Sequence, residues 1–132
     1  MFRTEFTIEW GDCDEAGIVF YPNYFYWFDS TFQRFLRARG LGQRVLKQRF
    51  GAITPIVDAR GQFRAPARYD DPLAAEAVVA EWAERRFRVD YRLTVGERLV
   101  AEGYELRAWA RIDAEGRMAG APIDAAFRDA MS

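Results

Sequence analysis

From Phe2 to Trp10 the apolar residues Phe2, Phe6, Ile8 and Trp10 alternate with Arg3, Glu5, Thr7 and Glu9, the period of a strand with one buried face. Gly11 ends that segment. After Pro22 the period changes. Tyr24, Trp27, Phe28, Thr31, Phe32 and Phe35 recur at three- and four-residue steps, which draws one apolar stripe down a helix. The spacing predicts a helix over Pro22–Arg39: Pro22 suits the first helical position with Tyr21 as N-cap, Arg34, Arg37 and Arg39 crowd the last turns where the helix dipole favours cations, and Gly40 is a natural stop. At about 1.5 Å per residue this is roughly 25 Å of helix. Phe20, Phe25 and Tyr26 widen its apolar surface, so it must be enclosed.

A shorter helix is expected from Gly42 to Arg49, and Gly51 precedes four more strands. In the first, Val57, Ala59, Gly61, Phe63 and Ala65 oppose Asp58, Arg60, Gln62 and Arg64. Leu73 to Ala83 is a less regular run rich in Ala and Val. The clearest alternation sets Phe87, Val89, Tyr91, Leu93 and Val95 against Arg86, Arg88, Asp90, Arg92 and Thr94. Gly96-Glu97 then turns into Leu99–Arg111, where Tyr104, Leu106, Ala108 and Ala110 share a face. Pro66 and Pro72 mark strand ends, Asp113–Gly116 is a turn, and a terminal helix is expected from Pro122 to Ala130. One strand, a long aromatic helix and four strands joined by tight turns predict an α+β fold, a curved five-stranded antiparallel sheet wrapped around a central helix, as a single domain over 1–132.

Composition narrows the chemistry. The 132 residues contain no histidine and a single cysteine, Cys13, so His-activated nucleophiles and His-ligated metals are excluded, and no internal disulfide can form. A hydrolase built from this chain must rely on a carboxylate. The formal net charge of −1 offers no bulk attraction to phosphate backbones, so a nucleic-acid partner is not expected. No run approaches the ~20 apolar residues that span a bilayer. A cytoplasmic protein without a membrane partner is the expectation, and neither a metal nor a cofactor is called for.

The densest chemistry lies in Gly11-Asp12-Cys13-Asp14-Glu15-Ala16-Gly17-Ile18-Val19-Phe20-Tyr21-Pro22-Asn23-Tyr24. Here a carboxylate-bearing loop precedes a helix N-terminus, which can hold an anion and offer N–H groups to a developing oxyanion. Asp14 is the candidate nucleophile or base; the alternative is a turn-forming aspartate. Asp12 with Glu15 is a candidate carboxylate pair of the glycosidase kind. Cys13 reads as a small packed residue, since flanking carboxylates raise a thiol pKa. Asp29, on the flank of the helix stripe, is either a substrate contact or a solvated or Arg-paired residue. Arg85 and Arg86, with Arg88, are guanidinium candidates for phosphate; the alternative is a charged outer strand face. Tyr24 and Trp27 on the helix, with Gly17 in the loop, complete the candidate substrate-binding set.

These residues resemble a known family, the hot-dog-fold acyl-CoA thioesterases of the 4-hydroxybenzoyl-CoA thioesterase type. The resemblance is carried by the Gly11–Asp14, Ala16–Val19 and Tyr21–Tyr24 stretches, and supported by Thr54-Pro55-Ile56-Val57, Tyr69-Asp70-Asp71 and Glu81-Trp82. It implies a hot-dog dimer, often paired into a tetramer, with active sites between subunits and acyl-CoA as substrate, coenzyme A being part of that substrate. It implies that Asp14 is the catalytic carboxylate, that the Tyr21 backbone N–H polarises the thioester carbonyl, that Asp29 contacts a phenol hydroxyl, and that basic residues near Arg85 and Arg86 bind the nucleotide. The look-alike enzyme has His, Arg and then Trp-Leu-Asp after its Asn-Tyr, where this chain has Phe25, Tyr26, Trp27, Phe28 and Asp29, so a different acyl pocket is expected. A hot-dog dehydratase is set aside for want of a histidine. A non-catalytic CoA- or acyl-binding module is the competing expectation.

Overall fold

The computed structural model describes all 132 residues. Strand β1 (Phe2–Thr7) is followed by a single 3-10 turn (Trp10–Asp12), helix α1 (Pro22–Ala38), helix α2 (Gln43–Phe50) and the short strand β2 (Ala52–Ile53). Strands β3 (Ile56–Phe63), β4 (Pro72–Trp82), β5 (Arg86–Val95) and β6 (Arg98–Ala108) come next, then β7 (Ala110–Ile112), β8 (Met118–Gly120) and helix α3 (Ala125–Met131). The main sheet has five strands, all antiparallel, in the order β1-β4-β5-β6-β3. Its concave face holds α1, the arrangement the alternating segments predict.

Helix α1 begins at Pro22 after Tyr21 and ends at Ala38 with Arg39 as C-cap, and Gly40 takes φ 70° beyond it, because only a residue without Cβ enters that left-handed turn at no steric cost. Its stripe of Tyr24, Trp27, Phe28, Thr31, Phe32, Phe35 and Leu36 is buried. Each large apolar side chain so enclosed contributes roughly 1.5–3 kcal/mol. Phe28 stacks on Tyr91 of β5 at 4.8 Å and 8°, and Phe2 of β1 stacks on Phe35 at 5.3 Å. Two glycines let the helix come so close. Gly61 of β3 and Gly103 of β6 are opposite each other in the register, and a Cβ on them would lie 3.0 Å from the Phe25 ring and 2.9 Å from the Phe28 ring, respectively.

One expectation needs correction, and two features had no sequence signal. β1 stops at Thr7, and Trp10 turns out to solvent at 77% exposure, because the chain leaves the sheet in the 3-10 turn before the alternation ends. On β6 Tyr104, Leu106 and Ala108 share a face, as the alternation has it, but it is the outer one. Cross-strand pairing of Leu93, Tyr91, Val89 and Phe87 with Ala101, Gly103, Glu105 and Arg107 puts Glu105 and Arg107 inside and leaves Tyr104 and Leu106 only half-buried on the outer face. A second sheet, β2-β7-β8, was not legible, since two- and three-residue strands are too short to show a period. Around it α3 seats Phe127 against Trp109 at 4.7 Å and Phe87 at 5.6 Å, with Asp124 capping through the Ala126 N–H. No helix is long and apolar enough to cross a membrane.

Candidate active site

The loop before α1 is a miniature hairpin. Cys13 bridges to Val19, the Asp14 N–H donates to the Ile18 carbonyl at 3.0 Å, and the Gly17 N–H returns to the Asp14 carbonyl at 2.9 Å. Gly17 adopts φ 78°, a conformation other residues enter only under strain. Asp14 therefore stands at the tip. Its Oδ1 accepts from the Ala16 N–H at 2.9 Å, the turn-forming role anticipated as an alternative, while Oδ2 takes no hydrogen bond and no arginine pairs with the carboxylate. It lines a cleft of about 270 Å³ with Trp10, Cys13, Gly17 and Tyr69.

Asp12, not Asp14, ties this loop to the helix. Its carbonyl accepts from the Phe20 N–H at 2.9 Å and from Asn23 Nδ2 at 2.8 Å, and its Oδ2 accepts from the Glu9 N–H at 2.8 Å. An aspartate so engaged is an anchor, which removes the support for an Asp12–Glu15 glycosidase pair. Burial, reinforced by Asp12, pushes the Cys13 thiol above its ordinary pKa, with Asp14 and Asp71 adding to the shift. The Sγ leans on the Glu9 carbonyl at 3.9 Å. A thiol so placed carries less thiolate at neutral pH than a free cysteine.

At the helix mouth the Tyr21 N–H has no acceptor in the chain, as expected of a residue preceding the first turn. Tyr21 and Tyr24 line a second, mainly apolar cleft of about 400 Å³ with Ile18, Val19, Phe63, Arg64, Ala65 and Pro66. Asp14 with Gly17 and Tyr21 with Tyr24 thus open onto different clefts of one chain. Phe63, whose ring stacks on Tyr24 at 5.4 Å, was missed, as were Arg64 and Tyr69, because their approach is long-range and has no local signature; Trp10 was missed because the alternation assigned it to the strand. Trp27 lines neither cleft; it is 4% exposed and packs against Tyr24 and Phe6.

Farther along α1, Asp29 is Arg-paired. Its Oδ1 accepts from Arg107 Nη2 at 2.6 Å and from Gln33 Nε2 at 3.1 Å, and its side chain stays 43% exposed. Arg85 and Arg86 sit in the β4–β5 turn and at the start of β5, exposed and without ion pairs, whereas Arg88 is tied to Glu81 at 3.0 Å and Asp90 at 2.8 Å. That turn is at the Trp82 end of β4, and the Asp14 loop follows β1, which pairs with the Pro72 end. The eleven residues between separate the two by roughly 30 Å at ~3.3 Å per residue.

Glu105 and Arg107, 1% and 3% exposed, had no sequence signal, being an ordinary charge pair at i, i+2 on a strand. Burial pushes the Glu105 carboxyl up, opposed by Arg107 and the Tyr91 hydroxyl. Burial also works to lower Arg107, but Glu105, Tyr91 and Asp29 outweigh it and hold the guanidinium charged. Geometry favours the ion pair: Tyr91 Oη, Arg107 Nε at 3.0 Å and Arg107 Nη2 at 2.9 Å all donate to Glu105 Oε1, a convergence that suits a carboxylate oxygen.

Known proteins place the chain. The family model described as the Thioesterase-like superfamily matches residues 8–131. The chain is similar to the 4-hydroxybenzoyl-CoA thioesterase of Pseudomonas sp. (strain CBS-3), with 36% identity over 115 residues, 82% of each chain. It is also similar to the 1,4-dihydroxy-2-naphthoyl-CoA hydrolase of Synechococcus elongatus, with 30% identity over 101 residues, 76% of this chain and 74% of that one. Among solved structures, a 4-hydroxybenzoyl CoA thioesterase mutant complexed with 4-hydroxybenzoyl CoA superposes with a TM-score of 0.89 at 33% identity, covering 99% of this chain and 98% of the other. A gentisyl-coenzyme A thioesterase gives 0.87 at 32%, covering 99% and 100%. With nearly the whole length matched and the wrapped-helix architecture shared, the chain belongs to the Thioesterase-like superfamily and has its hot-dog fold.

Proposed function

We propose that the protein is an acyl-CoA thioesterase that hydrolyses a short or aromatic acyl thioester to the free acid and coenzyme A. One observation carries the reading: at the same chain junction, Asp14 keeps one carboxylate oxygen unengaged and unpaired, and the Tyr21 N–H at the helix start lacks an acceptor. Asp14 acts either by attacking the thioester carbonyl, which forms an anhydride and releases the CoA thiolate, or by taking a proton from water; both routes begin from the same carboxylate. Tyr21 N–H stabilises the oxyanion, a donor of the kind worth roughly 10²–10³ in rate. The naming of relatives for hydroxyaryl CoA thioesters supports an aromatic acyl group, with Asp29 meeting its hydroxyl.

The active site is read as shared between copies of the chain. Within one chain Asp14 and Tyr21 open onto separate clefts, and the candidate phosphate ligands Arg85 and Arg86 lie at the far end of β4, so a copy other than the one supplying Asp14 supplies them. Strand β3 is an exposed sheet edge flanked by exposed Ile56, Val57, Phe63 and Tyr26, the kind of apolar border that a second copy covers. Light scattering after gel filtration tests this: a homodimer or homotetramer is expected, and a monomer at micromolar concentration refutes it.

Hydrolysis of benzoyl-CoA and 4-hydroxybenzoyl-CoA, followed with a thiol reagent, tests the activity. Asp14→Asn is expected to lower kcat by at least about 10² with KM changed less than severalfold, since a positioned base or nucleophile acts on the transition state. Retained CoA binding without any turnover of the wild-type chain would instead favour the non-catalytic binding module.

A further inference from the structure

The reaction proposed above makes no use of the charged side chains buried beneath Asp29. Arg107 reaches from β6 to three places at once: Nη2 to Asp29 Oδ1, Nε and Nη2 to Glu105 Oε1, and Nη1 to the Thr54 carbonyl at 2.8 Å. Its guanidinium lies 4.1 Å over the Phe32 ring, and Glu105 is itself held by the Tyr91 hydroxyl. The fork therefore has almost no freedom to rotate. On the helix side Gln33 Nε2 also donates to Asp29 Oδ1, and Gln43 Nε2 steadies Gln33 Oε1 at 2.9 Å. Every donor found on Asp29 uses Oδ1, which leaves Oδ2 without a partner. Thr54, on the other arm of the fork, has a buried hydroxyl oxygen that also has no partner. The Thr54 hydroxyl is buried without a partner, whereas Asp29 Oδ2 belongs to a side chain that is 43% exposed, so of the two it is the Asp29 oxygen that is open to a polar group from outside.

We propose that Arg107 is a positioning residue for substrate selection: it holds the Asp29 carboxylate in one orientation, so that Oδ2 accepts a hydrogen bond from a hydroxyl on the acyl group. Preference for a hydroxylated over an unsubstituted acyl thioester is then set by a side chain that no substrate touches. The proposal rests on the reading that Asp29 meets the acyl group. A fully enclosed site built for a substrate hydroxyl discriminates by roughly 10⁴–10⁵, but Asp29 is 43% exposed and water can replace the lost bond, so a preference on the order of tenfold to a hundredfold is expected.

The test compares kcat/KM for 4-hydroxybenzoyl-CoA and benzoyl-CoA in the wild type, Asp29→Asn, Arg107→Gln and the double variant, with melting temperatures recorded alongside. A structural role moves the melting temperature and both substrates together; a positioning role moves their ratio. The expected result is a wild-type ratio of at least about tenfold that falls to near one in each single variant and no further in the double. A ratio lost in Asp29→Asn but kept in Arg107→Gln overturns the role of Arg107 and leaves the substrate reading standing. A ratio kept in Asp29→Asn, or near one in the wild type, overturns both. Should Arg107→Gln fail to fold, Glu105→Gln/Arg107→Gln removes the buried charges together, and the same outcomes apply to it.

Discussion

Replacing Arg107 with Met leaves the hydrophobic stem but removes the cation between two carboxylates. Glu105 is the one that matters for stability, being almost fully enclosed; Asp29 is partly solvated, and its share is discounted for screening. Breaking a buried ion pair from one side costs about 3–5 kcal/mol, against a total of about 5–15 kcal/mol for a domain. At roughly 3–5 °C per kcal/mol for a chain of this length, the melting temperature should drop by about 10–20 °C. Acid should relieve the loss. Burial already raises the folded-state pKa of Glu105 above the ordinary 4.5, and without Arg107 it rises further. A raised folded-state pKa adds stability that is complete below the unfolded value and disappears as pH climbs through the folded one. The deficit of Arg107→Met should therefore be smaller at pH 5 than at pH 8. Glu105→Gln/Arg107→Met should recover most of the loss, because the glutamine oxygen still accepts from the Tyr91 hydroxyl and no lone charge stays inside. Urea unfolding followed by tryptophan fluorescence at fixed protein concentration measures all three. A single-variant loss under about 1 kcal/mol, a pH-independent deficit, or a double variant as damaged as the single one would contradict the assignment of a buried ion pair.

The opposed glycines should differ sharply although they face each other across two strands. Gly61→Ala meets only the ends of the Phe25 and Phe63 rings and should cost about 1 kcal/mol or less, whereas Gly103→Ala overlaps the Arg60 carbonyl oxygen as well as Phe28 and should cost more than about 3 kcal/mol, both read by thermal melts. Cys13, with its thiol pKa raised by burial and neighbouring acids, should react with iodoacetamide at pH 7.5 several-fold more slowly than a free cysteine. Its Ala variant should keep the thioesterase activity; loss of turnover in Cys13→Ala would show that the thiol takes part.

Much of the architecture can be read from local rules because those rules act within a turn or a strand. Pro22 and Gly40 bracket α1 because one lacks the N–H the helix start does not need and the other tolerates φ 70°. The alternation in β5 survives unchanged because both its neighbours are in the same sheet. The loop that carries Asp14 and leads into Tyr21 and the helix start could be placed from the sequence, because its glycines, aspartates and Pro22 are local signals. Asp12 and Asp14 could not be ranked that way: both are aspartates of one loop, and only the Cys13–Val19 bridge shows that one anchors the helix and the other is left at the tip.

Sequence alone determined the main helices and strands, the start of α1 and the exclusion of histidine chemistry, since periodicity, capping and the absence of histidine are properties of single positions and their near neighbours. Tertiary structure decided which face of β6 turns inward. Apolar Tyr104 and Leu106 would have been the ordinary choice, but Glu105 and Arg107 neutralise each other and bind Tyr91, Thr54 and Asp29, which makes their burial tolerable. That compensation involves residues up to 78 positions apart. No local pattern can encode it, because the energy that settles it exists only after the helix has docked on the sheet.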